Sequence, residues 1–216
     1  MIPVELRNRL GDDFAPVRPL RSPSVRALWC APFAALALLA APTYFNVRED
    51  ALQLGWSGSW GVSLAQAAVG FSLVAAALRE SVPGRPWSAG AIGWWVVTPI
   101  ALVIAVTFAS WEASPMMLQR GWWTVWAVCL GGSAATALPV VALASVLVAR
   151  AYPTRPGLAG LLLGLGAGVI ADAGWRMFCH FSEPAHVLSA HLVGVAVSSI
   201  AGVCLSLRVR SGTLSR

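Results

Sequence analysis

Apolar residues run together along this chain in six long stretches, at about 27–45, 58–78, 89–109, 122–149, 157–177 and 187–207, separated by short polar connections. A helix rising about 1.5 Å per residue needs roughly 20 residues to cross a hydrocarbon core of about 30 Å, and each stretch is of that order. The pattern predicts an all-α, polytopic membrane bundle of six transmembrane helices over 27–207. It is preceded by a segment, 1–26, and followed by a tail, 208–216. Six crossings put both termini on one face. Pro99 and Pro139 fall inside the third and fourth stretches and predict kinks covered by neighbouring helices.

Composition supports the same reading: 57% of residues are apolar, 11% are charged and the mean hydropathy is +0.71, far from the averages of soluble domains. The first stretch follows arginines, as a signal peptide would. It is longer than a signal core, however, and Tyr44-Phe45-Asn46 is a poor cleavage site, so it is read as the first helix.

Charge then gives an orientation. Lys and Arg together number 15, and every one is arginine. Arg7, Arg9, Arg18, Arg21, Arg26, Arg79, Arg85, Arg150, Arg155, Arg208, Arg210 and Arg216 fall on the side of the termini, while Arg48, Arg120 and Arg176 fall on the other. With loops this short, the positive-inside rule places both termini in the cytoplasm. The formal charge of +6 is thus a topology signal and does not call for direct nucleic-acid binding. The tryptophans agree with the topology. Trp56, Trp60, Trp111, Trp122, Trp123, Trp126 and Trp175 mark outer helix ends, and Trp29 and Trp87 mark inner ones, as an interfacial belt requires.

The fifth stretch carries a small-residue row, Gly160, Gly164 and Gly168, continued at the same spacing by Asp172 and Arg176. The glycines predict close helix packing, and homodimerisation through them is left open. An unpaired carboxylate at membrane depth is expensive, so Asp172 is expected to face the bundle interior with Arg176 as an i, i+4 ion pair. Both an ion site and a purely structural pair are consistent with this spacing.

Of the four cysteines, Cys30 and Cys204 lie near inner helix ends and read as small packing residues. Cys129 and Cys179 lie on the outer side, where a periplasm permits disulfides, so they form the one plausible bridge or redox pair. All three histidines gather near the second of them, in the series Cys179, His180, Glu183, His186 and His191. Thiolate, imidazole and carboxylate are the donors of a borderline ion such as zinc or another thiophilic metal. Five residues apart on one helix, His186 and His191 do not share a face, so all five groups cannot be ligands together. An interfacial polar cap is the alternative.

Within 1–26, Ile2, Leu6, Leu10 and Phe14 recur every four residues and would give a short helix one apolar face, with Glu5, Asp12 and Asp13 beside it. Acids disfavour an anionic lipid surface, so the expected partner is a protein groove. Residues 16–23, with prolines at 16, 19 and 23, form an extended spacer to the bilayer.

These features occur in an order that resembles the NrsF-type family of six-helix membrane anti-sigma factors. The resemblance rests on the acidic stretch running into Ala15-Pro16-Val17-Arg18-Pro19-Leu20-Arg21, and on Cys129 and Pro139 in the fourth helix. It rests also on the turn Tyr152-Pro153-Thr154-Arg155-Pro156-Gly157 into a glycine-rich helix, and on Cys179 ahead of Ser182-Glu183-Pro184. It implies a non-enzymatic regulator whose N-terminal segment, through Ile2, Leu6, Leu10, Asp12, Asp13 and Phe14, holds an extracytoplasmic-function sigma factor at the lipid bilayer. It also implies that Cys129 and Cys179 sense a stress. Two other classes are weighed against it. A small transporter would need polar groups near the midplane, where the stretches offer hydroxyls such as Thr98, Thr136 and Ser145. A metal-dependent membrane enzyme would have to draw on Cys179, His180, Glu183 and His186.

Overall fold

The computed structural model describes Pro3, Val4, residues 19–117 and residues 122–214, with the side chains of the last helix described to residue 209. Ile2, Leu6, Leu10, Asp12, Asp13 and Phe14 lie outside the described residues. Among those described there is no strand, and six helices are long and apolar enough to cross a membrane. They are α1 (Pro23–Phe45), α2 (Ala51–Glu80), α3 (Ala89–Ala113), α4 (Trp122–Ala149), α5 (Pro156–Phe178) and α6 (Pro184–Leu214). The chain is an all-helical, multi-pass membrane protein.

Several helices outrun their apolar stretches. The start of α2 moves from residue 58 back to Ala51 because a lead-in helix, Ala51–Trp56, is joined to the main span by a π-turn, Ser57–Gly61. The join needs Gly55, whose φ of 67° is left-handed backbone open to glycine at no steric cost. At the other end of the chain, α1 begins at Pro23, whose preceding residue Ser22 accepts a hydrogen bond from the Val25 amide at 3.4 Å as an N-cap. Pro42, Pro99 and Pro139 all lie inside helices.

The bundle is organised around α5, which packs against α1, α2, α4 and α6 and buries nearly every residue from Pro156 to Met177. Apolar attraction does not drive helices together in lipid, so close backbone approach has to. Glycine supplies it on more than one face of α5. A Cβ on Gly160 would fall 2.5 Å from the carbonyl oxygen of Gly202 in α6, and one on Gly70 of α2 would fall 2.6 Å from that of Gly166. Gly164 and Gly168 meet the α6 backbone at Ser198 and Val195 in the same way. The glycine row is therefore occupied within the chain by α6. By contrast α3, the least buried span, sits at the periphery.

The two ends of the bundle are closed differently. At the end bearing the termini, Arg155 pairs with Glu80 at 2.6 Å and donates to the Trp87 carbonyl at 3.2 Å, tying the α2–α3 loop to the α4–α5 loop. The Arg26 side chain is buried there and donates to the carbonyls of Leu78, at 3.4 Å, and Leu147, so it spans the ends of α2 and α4. At the distal end, Arg48 forms a two-point pair with Asp50 (2.5 and 2.6 Å) and its backbone amide donates to the Met177 carbonyl at 2.8 Å. Burial alone would raise the Asp50 carboxyl pKa, but the hydrogen bonds from Arg48 and Ser114 and the guanidinium charge hold it below the usual carboxylate range.

Candidate functional site

The loop after α5 turns inward instead of lying on the surface. Ser182 donates to the Ser114 carbonyl at 2.5 Å and accepts from the Met116 amide at 2.9 Å, so the loop is pinned to the end of α3. Arg48 holds it from the other side through the His180 carbonyl at 3.4 Å. Cys179, its first residue, is thereby pushed under the start of α6 and against α4. Its Sγ lies 3.7 Å from that of Cys129, and both thiols are buried and free.

His186 and His191 close the group. His186 Nε2 is 3.5 Å from the Cys179 Sγ, and the two imidazole centroids are 5.7 Å apart. One donor atom from each of Cys129, Cys179, His186 and His191 lies within 4.8 Å of every other, and all four side chains are buried. The expectation that the two histidines diverge is thus corrected. Helical geometry separates them by about 140° around α6, but Cys179 sits in the opening between them and the ring lengths close the remainder. His180 and Glu183 are corrected as well, because neither belongs to the group. The His180 ring packs on Phe181, with centroids 4.1 Å apart. The hydrogen bond from Cys129, set against burial and aided by His186 and His191, holds the Cys179 thiol well below its ordinary range.

Behind the thiols runs a second layer. Asp172, with none of its side chain exposed, pairs with Arg176 Nε at 2.8 Å, accepts from Gln66 Nε2 at 2.5 Å, and meets His191 Nδ1 at 2.9 Å. Arg176 continues the network to the Thr107 hydroxyl at 2.8 Å. Residues of α2, α5 and α6 therefore meet on one carboxylate, and Arg176 links it to α3. A carboxylate accepts, so Nδ1 of His191 carries the proton, and its Nε2 is left as a buried nitrogen without a hydrogen-bond partner. His186 likewise has a buried unpartnered nitrogen, Nδ1.

Ala41, Ala190, Trp175 and their partly buried neighbours Val125, Trp126 and Phe178 pack around the thiols, so the site has an apolar wall. A cavity of about 30 Å³ borders Cys179 and His191 on the opposite side, with Ser63, Thr107 and Ser182 in its lining. That is room for a water-sized ligand. Sequence reasoning missed Gln66, Thr107 and the link from His191 to Asp172. Gln66 had a usable signal, since it is the one amide inside the 58–78 stretch, and a lone amide at membrane depth calls for a partner.

A family model described as negative regulator of sigma F, NrsF, matches residues 10–210. No curated protein and no solved structure matches the chain.

Proposed function

The chain belongs to the NrsF family of negative regulators of sigma F, and from that premise we propose that it is an inner-membrane anti-sigma factor with a sensor at its distal end. In this reading residues 1–26 hold an extracytoplasmic-function sigma factor on the cytoplasmic face. Both termini lie in the cytoplasm, as the arginine asymmetry implies, and the distal thiols face the periplasm. The bound sigma factor is kept from polymerase until a stress acts on Cys129 and Cys179. The protein is a regulator and not an enzyme.

The observation that carries the sensing half is the 3.7 Å approach of two buried free thiols joined to residues on four helices. A reagent or ion that draws the thiols together pulls on α4 and on the loop leaving α5, and through His191 and Asp172 on the rest of the bundle. Regulation is then a shift between two packings, each favoured by one state of the thiols.

Co-expression with candidate extracytoplasmic-function sigma factors tests the regulatory half. The full chain is expected to carry one of them into the membrane fraction, and a chain lacking residues 1–22 to leave it soluble. Candidates that all stay soluble in the presence of the full chain would overturn the proposal.

A further inference from the structure

We infer that Cys129, Cys179, His186 and His191 form a tetrahedral binding site for a thiophilic d¹⁰ ion of the zinc class, with Asp172 as the residue that positions His191. The site itself stands on geometry. Its role as the stress signal rests on the anti-sigma reading above.

The spacing of the donors carries the argument. Zinc bonds of about 2.3 Å to sulfur and about 2.0 Å to nitrogen, set at tetrahedral angles, separate two sulfurs by about 3.8 Å and a sulfur from a nitrogen by about 3.5 Å. The observed separations are 3.7 Å for Cys129–Cys179 and 3.5 Å for Cys179–His186. These two separations already match a tetrahedral ion, and with all four donors within 4.8 Å of one another the remaining closure is of the size that side-chain rotation supplies. A disulfide, by contrast, requires the sulfurs to close to about 2.05 Å.

Charge balance points the same way. Asp172 and Arg176 already neutralise each other. An M²⁺ ion bound by both sulfurs as thiolates and by two neutral imidazoles releases to water whatever protons those sulfur and nitrogen atoms held, giving a complex of two thiolates, two imidazoles and one dication with no net charge. A buried apolar pocket tolerates that product far better than a bare ion. His191 is oriented for it, since its Nδ1 is committed to Asp172 and its unpartnered Nε2 is free to donate a lone pair. A carboxylate behind a ligating imidazole is the usual means of fixing tautomer and ring angle. The hydroxyl-lined cavity beside Cys179 and His191 offers an entering ion oxygen contacts as it sheds water.

The full-length protein, purified in detergent, reduced and stripped of metal, is titrated with Co²⁺ and then Zn²⁺. One equivalent of cobalt is expected to give intense tetrahedral d–d bands together with a thiolate-to-cobalt charge-transfer band, both abolished by zinc. C129S and C179S lose the charge-transfer intensity, and H186N and H191N lose the tetrahedral d–d pattern. H180A and E183Q keep both. D172N retains the band positions but binds zinc about 10–100-fold more weakly, the effect of a lost carboxylate behind a ligand. Wild-type spectra and affinity in H186N and H191N would reduce the site to a dithiol and overturn the inference.

A test on the unmodified chain covers variants that do not fold. Zinc is expected to slow alkylation of Cys129 and Cys179 and to leave the exposed Cys204 unchanged; equal rates with and without zinc overturn the inference. Sigma capture is measured on the same samples. Capture without metal binding removes the ion and leaves the regulator, whereas metal binding without capture keeps the site and removes the regulator.

Discussion

A single carboxylate shows how much of this fold's specificity rests on polar atoms. Asp172 on α5 is met by Gln66 of α2, Arg176 of its own helix and His191 of α6, and each of these would lose a buried partner without it. Of these contacts the pair with Arg176 is legible in sequence, because i, i+4 spacing is fixed by helical geometry alone. The contact with His191 is not, since it depends on how closely the glycines let α6 approach α5. Asp50 at the distal end yields a prediction at the same scale. Its carboxyl pKa is depressed in the folded state, so its contribution to stability is complete above the unfolded value near about 3.9 and is lost as pH falls through the folded one. Thermal unfolding in detergent, followed from neutral pH to about pH 3, should therefore show a smaller loss of midpoint in D50N than in the wild type. Parallel losses would mean that the Arg48 pair contributes nothing.

Among the helices, α5 is the one whose sequence and packing agree most closely. Gly160, Gly164 and Gly168 predict a close approach, and α6 makes it. Which helix would take that row could not be read from α5 alone, because another copy of the chain would meet the same small-residue surface. The α2 start was misjudged for a different reason. The apolar run upstream is interrupted by Gln53, Gly55, Ser57, Gly58 and Ser59, while the lead-in helix and the π-turn carry helical structure across those positions. A prediction follows for the α5–α6 contact. G160A or G164A places a methyl group against α6 backbone, which has no side chain to move aside, and overpacking of this kind costs about 1–3 kcal/mol. Detergent-purified variants should unfold at lower temperature than the wild type, and G157A, whose Cβ meets nothing within 4 Å, should not. Equal midpoints for all three would show that the two helices can part freely.

For the molecule as a whole, the six crossings were legible because lipid allows so few backbone solutions. The thiol–imidazole cluster was only half legible. Its residue types stood together in sequence near Cys179, but Cys129 lies 50 residues away and joins them through the inward turn of one loop. The prediction at this scale concerns which way the bundle lies. A C-terminal fusion to a reporter that is active only in the periplasm should be silent, and the same reporter in the α1–α2 loop should be active. The opposite pair of results would put the thiols in the reducing cytoplasm and remove the sensor from the proposed function. Arg26 gives this architecture a mechanical side. It is buried a few residues beyond the spacer and grips the carbonyls that close α2 and α4. Any pull along residues 19–25 is therefore loaded at once onto two spans, one carrying Gln66 and the other Cys129. Arg26 thus moors residues 19–25 at two points, so tension at this end of the bundle falls on the same pair of rods that carry Gln66 and Cys129 at the other.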